Sequence, residues 1–238
     1  MSRATQWAAL KKLGLSDKAA AVVVGHAKAE SGNIPFRVQG DNDAPAYTRS
    51  QLYTKWVDEG YVPRDEFINN GPNGGGYGWL QWTERSRKAG FYDASKKLGL
   101  SIGSEELAIK WFWAELHQAQ FAPVLAALTG DGSIREMSDI FMRRFEMPAD
   151  QSEKACIYRA GLCEEAYNEF SGTVPDVSTP APENAPTGDF KPFGSDLSVM
   201  MLQTIMAGNG YWDAEIDGRK TDAFRQRIVE FANGVANC

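Results

Sequence analysis

Glu30 is the first candidate for chemistry. In the run SDKAAAVVVGHAKAES, Ala27, Val23 and Ala20 precede it by three, seven and ten positions, so a helix would carry its carboxylate on an apolar, core-facing stripe. Burial disfavours the charged carboxylate and raises its pKa, and a carboxyl that keeps its proton near neutral pH can act as a general acid. A glutamate at a helix end that turns outward and pairs with Lys28 or Arg37 is the plainer reading of the same spacing. A second group follows at residues 74–82, where Gly74, Gly75, Gly76 and Gly78 let backbone approach a ligand and Tyr77, Trp79 and Trp82 supply flat faces suited to stacking on a ring. Gln81 is the polar hand among them. A tight turn feeding a buried aromatic strand is the plainer reading here.

A carbohydrate-cleaving pair of carboxyl groups stands about 5 Å apart for retention of configuration and roughly 6.5–9.5 Å apart for inversion. The loop after Glu30 offers Asp41 and Asp43, with Thr48 as a hydroxyl that could position water, and the sequence does not choose between the two aspartates. Glu84 is a third carboxylate, although after Thr83 it also suits the positive end of a helix. His26, four residues before Glu30, could hydrogen-bond it or a substrate, or serve as a buried structural histidine. With two histidines in the chain and no cysteine pair at ligand spacing, a zinc hydrolase is disfavoured, and no metal or cofactor is expected. Cys156 and Cys163 fall inside one helix, about 10 Å apart along it, which excludes a bridge between them and disfavours a cysteine peptidase.

The elements that must position these groups are mostly helical. Ser16 reads as the N-cap of the Glu30 helix and Gly32 as its stop. Gly, Asn, Pro and Asp dominate from Gly32 to about Arg49, and a short helix starts at Ser50. Thr83 can cap a helix through Leu98, Ser104 another to about His117, and Ser133 with Glu136 forms a capping box; Asp150 with Glu153 repeats that signature before a helix ending near Phe170. These expectations describe a mainly α, α+β catalytic domain over residues 1–170. Residues 171–194 carry five prolines and read as a linker, and residues 195–238 read as a small helix-turn-helix module.

The 238 residues carry a net charge of −6, with 43% hydrophobic and 24% charged residues, the composition of a globular protein. The densest cationic cluster, Arg85, Arg87 and Lys88 beside Glu84, is too small for a nucleic-acid footprint. No run is long enough for a secretory signal or a membrane span, so the expectation is synthesis in the cytoplasm without membrane insertion, as a monomer.

HAKAESG, the Gly40-Asp41-Asn42 loop and GGGYGWLQWTERSRK resemble the phage tail lysozyme family of the lysozyme-like superfamily, and FMRRFEMPAD with Arg159 and Ala160 is similar to its closing segment. The resemblance covers roughly residues 16–170. It implies a lysozyme-like fold and a muramidase acting on peptidoglycan at the β-1,4 bond between N-acetylmuramic acid and N-acetylglucosamine. It further implies Glu30 as catalytic acid and Tyr77, Gly78, Gln81 and Trp82 as the lining of the saccharide groove. A lytic transglycosylase using Glu30 alone stays open, as does a chitinase-like hydrolase, which HAKAESG also resembles. Residues 202–231 partly resemble a helical peptidoglycan-binding repeat. The whole reads as an endolysin released from the host cytoplasm through a membrane hole made by another protein, with a virion tail-tip component as the alternative.

Overall fold

A computed structural model describes residues 3–69 and 75–172. The expected module over 195–238, Cys238, Gly74 and all but the first two residues of the expected linker lie outside them. Nine α-helices are found among the described residues: α1 Arg3–Lys12, α2 Asp17–Ser31, α3 Thr48–Asp58, α4 Arg64–Asn69, α5 Arg85–Leu98, α6 Glu105–Leu116, α7 Ala122–Thr129, α8 Ile134–Phe141 and α9 Glu153–Phe170. The expected mainly α fold is observed. Its β component is confined, among these residues, to two antiparallel bridges, Val38 with Tyr77 and Tyr77 with Trp82.

The axis of the molecule is α2. Ser16 caps it by accepting from the Ala19 N–H, and Gly32, at φ 67°, closes it in the left-handed region. Every residue from Ala19 to Ala27 is buried, so this helix is not the one-sided amphipathic element its spacing suggests but a core helix enclosed all round. α9 lies antiparallel against it: Arg159 meets Glu30, Cys163 meets Gly25 and Val22, and Gly172 meets Asp17. The approach is closest at Gly25, where a Cβ would stand 2.6 Å from both N and Cα of Cys163. Only glycine permits that contact, and Gly25→Ala is expected to cost about 3 kcal/mol of stability in a denaturant titration, because backbone cannot yield as a side chain would. Gly161→Ala, on α9 with nothing within 4 Å of its Cβ, is the control and should be neutral or stabilising.

Several caps differ from their expected places. Glu84, not Thr83, caps α5 by accepting from the N–H groups of Ser86 and Arg87, while the Thr83 hydroxyl turns back to the Gln81 carbonyl. Ser152, not Asp150, caps α9, and α3 starts at Thr48 with its Tyr47 cap in the left-handed region, ahead of Ser50. Ser104 and the Ser133–Glu136 capping box stand as expected. Residues Met142–Glu146 form a π-helical turn after α8, closed by the Met147 N–H on the Met142 carbonyl. Cys156 and Cys163 are buried free thiols.

Candidate active site

At the C-terminal end of α2 the core opens into a cleft of about 620 Å³. Glu30 lines it. So do Gln39, Leu80, Gln81, Thr83, Glu84 and Arg87 from the middle of the chain, and Glu146, Met147, Pro148 and Ala149 from the segment between α8 and α9. One hydrogen bond fixes the end of α2 against the glycine-aromatic turn: Ser31 Oγ, 3.0 Å from the Ala27 carbonyl of its own helix, donates to the Trp79 carbonyl at 2.7 Å.

Glu30 is 19% exposed at its side chain and contacts Arg159 Nη2 through Oε1 at 2.5 Å. The other guanidinium nitrogen, Nη1, donates to Glu146 Oε2 at 2.5 Å. One planar cation therefore spans two carboxyl groups, which lie no more than roughly 7 Å apart across it. Burial raises the Glu30 pKa above the ordinary glutamate value and the charge of Glu146 raises it further, while Arg159 and His26 pull the other way; the net shift is upward. Glu146 Oε1 is buried without a hydrogen-bond partner, so its negative potential is incompletely cancelled next to Glu30.

His26 is fully buried and reaches neither Glu30 nor the cleft. Its Nδ1 bonds Glu146 Oε2 and its Nε2 bonds Ser138 Oγ, each at 2.9 Å. Ser138, His26 and Glu146 thus have nucleophile–base–orienter spacing, but Ser138 is 1% exposed and lines no part of the cleft, so it cannot meet a substrate. The role of His26 is electrostatic. Burial pulls its pKa down, yet the Glu146 carboxylate, with Cys163 adding to it, overcomes this and pushes it up to about 9. Because the folded value lies above the unfolded one, the stabilisation is complete below about pH 6.5 and is lost as pH rises toward 9, an effect of about 3 kcal/mol. The wild-type melting temperature should fall over this window relative to His26→Gln. Lys88, buried and pulled down to about 8, titrates in the opposite sense in both proteins, so their difference isolates the histidine.

The remaining expected site residues divide. Gln81 lines the cleft, with φ 49°, its amide donating to the Arg37 and Gly78 carbonyls at 3.0 and 2.8 Å. Gly78, at φ 82°, is buried in the turn beneath it; a Cβ there would meet the Pro35 carbonyl and the Trp82 ring at 3.2 Å. Tyr77 and Trp82 do not form the saccharide-facing surface expected of them. They are 0% and 1% exposed. The Tyr77 hydroxyl shares a hydrogen bond with Thr54, and Trp82 stacks on Phe91 while its indole N–H donates to Glu115 at 2.8 Å. Their flat faces serve the core because a large aromatic beside Phe67 and Phe91 gains more from burial than from a wet groove.

Asp41 and Asp43 also lie outside the cleft lining. Asp41 is 2% exposed and accepts from the Ser50 N–H, the Ser50 hydroxyl and the Asp43 N–H, contacts that hold its pKa below the ordinary aspartate value against burial. It is a loop-fixing residue. Asp43 is exposed and accepts from the Thr48 hydroxyl, which thereby has a structural partner in place of a water. Glu84 is the carboxylate the structure does bring to the cleft. Hydrogen bonds from Ser86, and from the N–H groups of Ser86 and Arg87 at the start of α5, lower its pKa. Glu146 and Arg159 were not singled out as site residues by the sequence patterns, since they meet Glu30 only through the docking of α9.

The sequence profile of the phage tail lysozyme family matches residues 2–170. This chain is a member of the phage tail lysozyme family. No curated protein matches it closely enough to count as a relative. Family membership makes it a lysozyme-like, peptidoglycan-degrading enzyme, and the match stops where α9 stops, short of residues 195–238. Among the described residues no helix is long and apolar enough to cross a membrane, and no group of His, Cys, Asp and Glu side chains could hold a metal ion.

Proposed function

We propose that this phage tail lysozyme cleaves the β-1,4 bond between N-acetylmuramic acid and N-acetylglucosamine, with Glu30 as the general acid. The observation that carries the reading is a carboxyl whose pKa is raised by burial and by Glu146, lining the same cleft as a second carboxylate, Glu84, whose pKa is lowered. Two carboxyls pushed apart in pKa within one cleft have the division of labour that glycoside cleavage needs: one proton to give to the leaving oxygen and one negative charge for the developing oxocarbenium ion or the attacking water. Arg159 and Glu146 act through Glu30 as positioning residues, holding its orientation and setting its proton affinity from opposite sides. Glu84 supplies the second group for hydrolysis; a transglycosylase would use Glu30 alone and close the sugar on itself.

Digestion of purified peptidoglycan by wild type and by Glu30→Gln, with the soluble fragments identified by mass spectrometry, tests this. Reducing-end muramic acid from the wild type alone is the expected result. Anhydro ends would replace hydrolysis by transglycosylation, and equal release by both proteins would remove Glu30 from the mechanism. Tethering through residues 195–238 across a 171–194 linker belongs to the same proposal, as does delivery to the wall as an endolysin; co-sedimentation of the chain with purified particles would instead place it in the virion.

A further inference from the structure

Four large hydrophobic side chains are exposed among the described residues: Leu98, Met147, Ile157 and Tyr158. Of these only Met147 lines the cleft, where it is 54% exposed directly after Glu146 and before Pro148 and Ala149. Its backbone lies at φ 52° and ψ 49°, a left-handed conformation that long side chains rarely adopt. The residues before it are pinned. The Phe145 carbonyl accepts from Arg87 Nη1 at 2.7 Å, Glu146 is held by Arg159 and His26, and the Met147 N–H closes the π-turn on Met142. A π-turn ending in a left-handed residue thus presents an adaptable thioether side chain at a defined place next to the acid site.

Building on the muramidase reading, we propose that Met147, with Pro148 and Ala149, is a specificity-determining seat for the methyl group of a substrate acetamido substituent. The chemistry of the cleft favours that occupant over an anionic one. Glu84 and Glu146 line it beside Glu30, and its one lining cation among the described residues, Arg87, is already paired with Glu115, so a neutral substituent with an apolar tip is accommodated, whereas a lactyl carboxylate or an acidic stem peptide would meet carboxylates. A plain sugar hydroxyl at the same position gains nothing from a thioether.

The test is direct binding to the full-length Glu30→Gln chain, which measures recognition without turnover. The probes are the β-1,4 tetramers of N-acetylglucosamine and of glucose, titrated calorimetrically. Met147→Asn tolerates the left-handed backbone but removes the apolar tip, and it should weaken the acetamido tetramer by about tenfold. Met147→Leu should stay within about threefold of the parent, with the glucose tetramer weak and indifferent to both changes. An unchanged affinity in Met147→Asn overturns the proposal. Equal losses for both tetramers, or a loss accompanied by a lowered melting temperature, also overturn it, as they would mark a structural role. Absence of acetamido-tetramer binding in the parent overturns it as well. Intact, Met147-dependent binding in the Glu30→Gln chain, together with a wild type that releases no peptidoglycan fragments, would sink the muramidase reading and leave this seat standing.

Discussion

Glu30→Gln should lower the rate of fragment release from peptidoglycan by about a thousandfold while leaving the melting temperature at pH 7 unchanged or slightly higher. The amide is isosteric and can face Arg159, but it has no proton to give. The stability half of the expectation follows from the sign of the pKa shift. A carboxyl whose pKa is raised on folding contributes fully below its unfolded value and loses that contribution as pH climbs through the folded one. Above the folded pKa an ionised Glu30 is therefore a burden to the fold, and an uncharged amide relieves it. A thousandfold loss of rate without loss of stability separates a catalytic acid from a structural glutamate, whose removal would lower both. Melting curves and turnover measured on the same preparation decide the matter.

Arg159→Met should have the largest effect on stability. Arg159 is 13% exposed and Glu146 2% exposed at their side chains, so removing the cation leaves Glu146 buried with only His26 to balance it. Breaking such a pair costs about 3 kcal/mol or more, and for a domain of this size a melting temperature lower by about 10 °C is expected. The substitution also removes the charge and hydrogen bond that pull the Glu30 pKa down. The alkaline limb of the pH–rate profile should move to higher pH, because Glu30 keeps its proton longer. Arg159→Lys restores charge but cannot bridge two carboxyls with one planar group, so it should recover part of the stability and return the alkaline limb only part-way. A profile that stays in place in both variants would show that Arg159 supports the fold without tuning the acid.

What the sequence disclosed was local. Ser16 and Gly32 bracket α2, and Ser133 with Glu136 opens α8, because caps are satisfied by neighbours within a few positions. The partial burial of Glu30 was legible because it lies at the end of a helix whose preceding turns are small and apolar. Tyr77 and Trp82 were misplaced because an aromatic in a glycine-rich turn has the composition of a binding surface, and the partners that direct those rings inward, Thr54, Phe67, Phe91 and Glu115, lie on four separate helices. Asp41 looked like a free loop carboxylate until Ser50 occupied it. Arg159 and Glu146 lie within a segment that carried the family resemblance, yet their pairing with Glu30 follows from the antiparallel docking of α9, which no local pattern encodes.

The narrow seam between α2 and α9 also has a temporal consequence. The cluster draws on residues 30, 146 and 159, so Glu30 has neither its guanidinium partner nor the second carboxyl across it until α9 is in place. A ribosome that has delivered the chain only as far as α8 has made a glutamate at the end of a helix, and a protease that severs α9 returns the molecule to that condition. On the proposed reading, lytic competence arrives in one step, when α9 closes over α2.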